Sequence, residues 1–214
     1  MNQDIKGKFI TVEGIDGAGK TALVSTVVST IRSAGIDIIS TREPGGTSLG
    51  EQLRNLVLTP ENDFCAEAEI LTIFAARAQH LEELILPELR TGKWVLCDRF
   101  TDSTYAYQGG GRLVDHKRIG VIEKWVQRDF RPDLMLLLDA DTETSQSRLR
   151  NSSGLPDRFE MENLDFHERV RETYRELAAK EPGRVKLIDA NKTELEVSDL
   201  ARDLMNEFLA TYHG

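Results

Sequence analysis

The feature that most limits what this chain can become is Gly14-Ile15-Asp16-Gly17-Ala18-Gly19-Lys20-Thr21, which satisfies G-x-x-x-x-G-K-[ST] at every fixed position. It follows the apolar run Phe9–Glu13 and opens a segment with helical apolar spacing, Lys20–Ser33. A strand, a glycine-rich turn and a helix in that order build a phosphate cradle. The glycines let the backbone curl until successive N–H groups point at phosphate oxygens. The helix start adds unpaired N–H groups and a positive dipole end. Lys20 brings a mobile cation to β- and γ-phosphates, and the Thr21 hydroxyl is suited to ligate Mg²⁺. Residues 14–21 are therefore the expected binding element for ATP with Mg²⁺. A glycine-rich turn that binds nothing would not need both flanking elements.

Around the cradle, strand and helix signals alternate. Phe9–Glu13, Ile36–Thr41, Trp94–Asp98, Leu134–Asp139 and Val185–Asp189 read as short aliphatic strands. Helical spacing covers Lys20–Ser33, Ser48–Leu58, Ala66–Leu89 with a late kink at Pro87, Lys117–Asp129, Thr142–Arg150, Leu164–Lys180 and Glu194–Leu209. This alternation predicts an α/β fold of the doubly wound kind, a five-stranded parallel sheet with helices on both faces. Ligands of such folds sit beyond the carboxyl ends of the strands. The motifs here follow strand ends or lie on helices facing that edge. A length of 214 residues suits one domain, 1–214, and no linker or internal repeat divides it.

A formal net charge of −9 argues against a nucleic-acid or anionic-membrane surface, so phosphate must be bound by a few placed cations and N–H groups. The longest aliphatic run, Leu134–Leu138, is too short to cross a bilayer, and residues 1–8 lack a signal-peptide core. Cys65 and Cys97 read as unrelated small hydrophobes, which suits a reducing, cytoplasmic compartment.

The third strand ends on a carboxylate, Asp98, which beside the cradle can hold Mg²⁺ or its waters. A GTPase would need a base-reading Asn-Lys-x-Asp. The nearest run, Asn191-Lys192-Thr193-Glu194, ends one methylene too long, and no Asp-x-x-Gly follows Asp98. Asp98 is followed instead by Arg99-Phe100 and by Ser103-Thr104-Tyr105-Ala106-Tyr107-Gln108-Gly109-Gly110-Gly111-Arg112. Three further blocks accompany it: Thr41-Arg42-Glu43-Pro44-Gly45-Gly46-Thr47, Phe74-Ala75-Ala76-Arg77-Ala78-Gln79-His80, and Asp157-Arg158-Phe159-Glu160.

In order and content these blocks resemble the signature of bacterial thymidylate kinases, from about Lys8 to the last helix. The resemblance implies a P-loop fold of the nucleoside-monophosphate-kinase kind, phosphorylation of dTMP to dTDP by ATP, and a homodimer. Arg99 matches the arginine that grips the dTMP phosphate, a task that suits a planar fork. Arg77 matches the residue that bonds thymine O4, and Phe74, three residues earlier on the same helix face, the aromatic that stacks on the base; many members carry that aromatic at the position of Ile73. Thr104 and Gln108 match positions at the thymine edge, Tyr107 the ring beneath the deoxyribose, and Asp16 a carboxylate near the sugar and the phosphate-binding arginine. Arg42 falls in the substrate-binding block 41–47.

The lid is expected at about 148–160. Some family members carry a catalytic arginine in the cradle, but this chain has Gly17 there. The resemblance therefore assigns the transfer cation to the lid, with Arg158 first and Arg148 beside it; Arg150 is a third candidate. Relatives often have a further arginine where Ser152 stands, and the lid is one residue longer near Gly154. The Arg148 stem and Ala190-Asn191-Lys192 are expected around the adenine. The nearest alternative is another P-loop nucleoside or nucleoside-monophosphate kinase, which a panel of acceptors would separate. A nucleotide-dependent switch protein is a second, which would transfer to no small acceptor.

Overall fold

The structure is a computed structural model that describes residues 5–151 and 155–212. Five strands, β1 (Phe9–Gly14), β2 (Ile38–Arg42), β3 (Trp94–Asp98), β4 (Leu134–Asp139) and β5 (Val185–Asp189), form one sheet in the order β2-β3-β1-β4-β5. Every neighbouring pair is parallel, with Thr11 opposite Cys97 and Met135, and Thr41 opposite Cys97. The cradle strand therefore lies in the middle, where both neighbours hold it.

Aliphatic strands bury both faces, and the core shows how. In β1, Phe9 joins one cluster with Val95, Cys97, Phe100 and Phe130, while Ile10 and Val12 join another with Leu23, Val27 and Leu136. Alternate side chains thus enter two separate cores, as the period of two requires. The second core is covered by α1 (Lys20–Ser33) and α9 (Glu194–Tyr212), which pack on each other. The first is closed by a π-helical turn (Leu81–Ile85) and α4 (Leu86–Thr91), which follow directly on α3 (Ala66–His80).

Two boundaries move from the sequence expectation. Strand β2 starts at Ile38, because the N–H groups of Ala34, Gly35 and Ile36 bond back to the last carbonyls of α1. The long helix after Ala66 does not run straight to Leu89. Pro87 has no N–H to donate, and a π-helical turn lies just before it. The segment after β3, which carries no sequence assignment, forms α5 (Thr101–Thr104) and a second π-helical stretch (Tyr105–Gly111). Its glycines admit Phe166 and Thr173 of α8 (Leu164–Lys180) at close range. The other helices are α2 (Ser48–Leu58), α6 (His116–Gln127) and α7 (Thr142–Arg150). No helix among the described residues is long and apolar enough to cross a membrane.

Candidate active site

Helices α2, α6, α7 and α8 begin on a capping side chain, from Thr47, Asp115, Asp141 and Asn163 respectively. Helix α1 does not: its cap is Gly19 at φ 100°, no side chain bonds its first N–H groups, and its first turn carries no acid. A helix start built this way suits an anion better than a protein cap. Lys20 folds back over the cradle, donating to the carbonyls of Gly14 (3.2 Å) and Ile15 (3.0 Å), with the Asp16 carboxylate at 3.9 Å. Burial, helped by nearby Arg99, lowers its pKa from the ordinary lysine value. Thr21 stands exposed at the start of the helix. Asp98 Oδ1 is buried and has no hydrogen-bond partner among the described residues, as suits a group reserved for a cation or its water.

Beyond β3 the backbone turns sharply. Arg99 sits at φ 71°, a left-handed conformation uncommon for a residue with a Cβ. Its own N–H donates to Val12 O, and the next N–H, from Phe100, donates to Glu13 Oε1 at 2.7 Å. Ser103 and Tyr174 donate their hydroxyls to Glu13 Oε2 at 2.6 and 2.9 Å. Burial, with Asp102 nearby, pushes the Glu13 carboxyl up to about 7. Held in this way, Arg99 lies across the cradle. One terminal nitrogen donates to Gly14 O; the other donates to Asp16 Oδ1 at 2.5 Å and to Tyr107 OH at 2.9 Å. Burial disfavours charge on Asp16, but Arg99 and Lys20 outweigh it and hold the carboxyl well below the usual range.

From Arg99 a cavity opens, lined by apolar side chains and a few convergent polar groups. Asp16, Arg99 and Tyr107 line one end; Ile73, Arg77, Thr104 and Gln108 line it further along, with Pro44 and Phe159. Arg77 is almost fully buried, its guanidinium 4.7 Å from the Phe74 ring centre and 5.0 Å from that of Phe100. Its Nε donates to Glu43 Oε2 (2.6 Å) and its Nη1 to Thr104 Oγ1 (3.1 Å). Gln108 donates to Glu69 Oε1, and Tyr107 stands edge-on to Phe159.

Three sequence expectations need correction. Phe74 does not line the cavity; it packs with Ile70 and Ile119, and Ile73 takes the lining position. One residue along a helix is a turn of about 100°, so a register error of one aims the wrong side chain. Arg42 is half-exposed and pairs with Glu51 at 3.0 Å, outside the lining. Arg158, expected to deliver the transfer cation, is bound elsewhere: its Nε donates to Val57 O, its Nη2 lies 2.6 Å from Glu69 Oε2, and the rings of Phe64 and Phe159 flank it. It anchors the cavity wall. Among the lid candidates it is Arg148 that reaches the cradle, donating to Ala18 O (3.4 Å) and to Ala190 O (3.0 Å). Ser152 and Gly154 lie outside the described residues.

Gly17 explains the missing cradle arginine. It has φ 79°, and a Cβ there would stand 2.3 Å from Ser145 O and 3.0 Å from Leu149 Cγ of α7. Sequence reading also missed Arg54, Glu13 and Glu43. Arg54 lines the cavity and donates to Pro44 O at 2.8 Å. Its signal was present: it lies four residues after Gly50 and three before Val57, the buried positions of α2. Glu13 and Glu43 could be noted as acids beside motifs, but their partners are remote in sequence.

A parallel α/β sheet with this cradle at the end of its central strand defines a P-loop nucleotide-binding protein. Residues 12–201 match the family described as thymidylate kinase. The chain is 49% identical to the thymidylate kinase of Halorhodospira halophila, over 92% of this chain and 93% of that protein. It is 49% identical to the one from Thiobacillus denitrificans (94% and 98% covered) and 47% to the one from Pseudomonas syringae pv. syringae (97% and 99%). This chain belongs to the thymidylate kinase family.

Proposed function

We infer that the protein transfers the γ-phosphoryl group of ATP to dTMP, giving ADP and dTDP. The observation that carries this is the direct bond between Asp16 of the cradle and Arg99 of the cavity, which makes the donor and acceptor sites contiguous. A phosphate acceptor is already anionic near neutral pH, so no strong general base is needed. Catalysis is alignment and charge neutralisation. Lys20 and the uncapped N–H groups of α1 hold the donor phosphates. Arg99 exchanges its carboxylate and phenol partners for the acceptor phosphate and keeps it in line, with Arg54 as a second cation on the same wall. Arg148, and Arg150 at the end of α7, are the lid cations nearest the donor side.

Thr21 and the unpartnered Asp98 oxygen would hold Mg²⁺, which neutralises charge on the donor phosphates when bound. At the far end of the cavity, Arg77 offers donors to a base carbonyl, with Thr104 and Gln108 beside it. Closure of residues 148–160 excludes water, which would otherwise receive the phosphoryl group. A panel of dTMP, dUMP, dCMP, CMP, UMP and thymidine with ATP tests the reading. It expects dTMP to give the highest kcat/KM; preference for a nucleoside or a ribonucleotide would overturn it.

Homodimer formation belongs to the same proposal. Val121 and Trp125, one turn apart on α6, are 71% and 81% exposed, and Leu71 of α3 is 53% exposed. Exposed apolar side chains on two helices that pack against each other suit a second copy of the chain. Trp125→Asp should shift the sedimentation coefficient from dimer to monomer; a wild type that sediments as a monomer would sink the idea.

A further inference from the structure

Glu43 touches the cavity and lies at the junction of a buried chain of polar contacts that runs from the end of β2. Thr41 Oγ1, at the end of β2, is 2.8 Å from His80 Nε2. His80 Nδ1 is 3.1 Å from Glu43 Oε1, and Glu43 Oε2 accepts from Arg77 Nε at 2.6 Å. Arg77 then donates to Thr104 at the cavity. Glu43, Arg77 and His80 are 3%, 1% and 0% exposed. An arginine this deep would be costly without a counter-ion, and its plane would be free to swing without a second hold. Glu43 supplies both: one oxygen neutralises and orients the guanidinium, and the other is itself fixed by the His80 ring.

The backbone is shaped around this chain. Gly46 lies at φ 80°, and a Cβ there would stand 2.3 Å from His80 Nε2 and 2.7 Å from Thr41 Oγ1. The second glycine of Glu43-Pro44-Gly45-Gly46 is therefore what lets the ring meet Thr41. The same region brings Glu43, His80 and Cys97 donor atoms within 4.8 Å of one another, a set that could suggest a metal. Arg77 already occupies the cation's place, and burial, with Glu43 nearby, pushes the Cys97 thiol well above its ordinary pKa. The cluster is a seat for a guanidinium.

We propose that Glu43 and His80 are positioning residues that determine base specificity, by locking Arg77 as a donor-only face at the base end of the cavity. This rests on the reading of dTMP as acceptor. An arginine so locked has hydrogens to give and no lone pair to offer. A pyrimidine with a carbonyl at C4 satisfies it, whereas one with an amino group there leaves two donors facing each other. If the arginine could swing, it would withdraw from the amino group and the discrimination would shrink.

The test is kcat/KM for dTMP and for dCMP, with the KM for ATP, in wild type, Glu43→Gln, His80→Phe and His80→Asn. Glu43→Gln keeps the shape but removes the charge that holds Arg77. It should raise the KM for dTMP roughly ten- to hundredfold, the span of a buried charged hydrogen bond. It should also narrow the dTMP-to-dCMP ratio, with the KM for ATP unchanged. His80→Phe should do the same more weakly. His80→Asn, whose amide can occupy the Nδ1 position, should restore most of the ratio. A merely structural role would lower activity with both acceptors together and leave their ratio constant in all three variants; that result overturns the proposal. A wild type that does not prefer dTMP over dCMP removes the acceptor reading itself and is recognised before any variant is made.

Discussion

The two halves of the site are built differently. On the acceptor side, Arg99 and Arg77 are held by carboxylates, hydroxyls and rings. On the donor side, Lys20 and Arg148 donate to backbone carbonyls, with the Asp16 carboxylate 3.9 Å from Lys20, and the first N–H groups of α1 have no side-chain cap. Carbonyls hold a cation without neutralising it. On the proposed roles, the donor half holds its cations mainly through carbonyls, while the acceptor half holds its arginines through side chains. The contrast matches the two tasks, since triphosphate needs charge and a small base needs shape.

The largest effect that would test this contrast is on the donor side. Lys20→Met removes a cation that no neighbour duplicates and should lower kcat by about 10³-fold or more, with the Tm little changed. A kcat within tenfold of wild type would show that the cradle does not depend on its lysine.

The next prediction decides to which half Arg158 belongs. If it anchors the acceptor wall, Arg158→Ala leaves Glu69 buried with weaker compensation from Arg112 at 3.5 Å, costing about 3 kcal/mol. For a chain of this size that is a fall in Tm of about 6–12 °C. The KM for dTMP should rise and kcat fall less than tenfold. A loss of kcat of about 10³-fold or more, without a fall in Tm, would return Arg158 to the donor side as the transfer cation.

The smallest effect concerns stability given up for rigidity. Glu13 has a folded-state pKa of about 7, against an ordinary value of 4.5. Between these values the folded chain keeps a proton that the unfolded chain has released, so its contribution to stability is full below about 4.5 and is lost as pH rises through 7. The loss is at most about 3 kcal/mol. Thermal melts should show Glu13→Gln gaining on wild type as pH rises from 5 to 8, with little difference near pH 4.5. A gap that does not change with pH would mean that Glu13 titrates normally.

The donor half was far more legible in the sequence than the acceptor half. A cradle is made of consecutive residues, so one motif located β1, the turn and the start of α1 together. The acceptor half is assembled from β1, β2, α2, α3, the stretch after β3 and the lid. Arg77 and Glu43 are 34 positions apart, and Arg99 and Asp16 are 83 apart. Local spacing cannot pair such residues; only family resemblance brought Arg77, Arg99, Tyr107 and Gln108 into view. It departs from the observed placement where orientation decides, at Phe74, Arg42 and Arg158. It was also silent on Glu13, whose role depends on the left-handed backbone at Arg99.

Gly17 has a consequence for how this enzyme can be altered. Its hydrogen faces Ser145 O and Leu149 of α7 with no room for a methyl group. Grafting an arginine from the other branch of the family into the cradle would thus be a backbone problem before it was a charge problem. The helix that leads into the lid would have to shift first, taking Arg148 away from Ala18 and Ala190. Volume links the two features: the close seam that brings Arg148 of α7 to the cradle is the seam that bars a side chain from growing at Gly17. An engineer would have to exchange the helix and the loop as one piece.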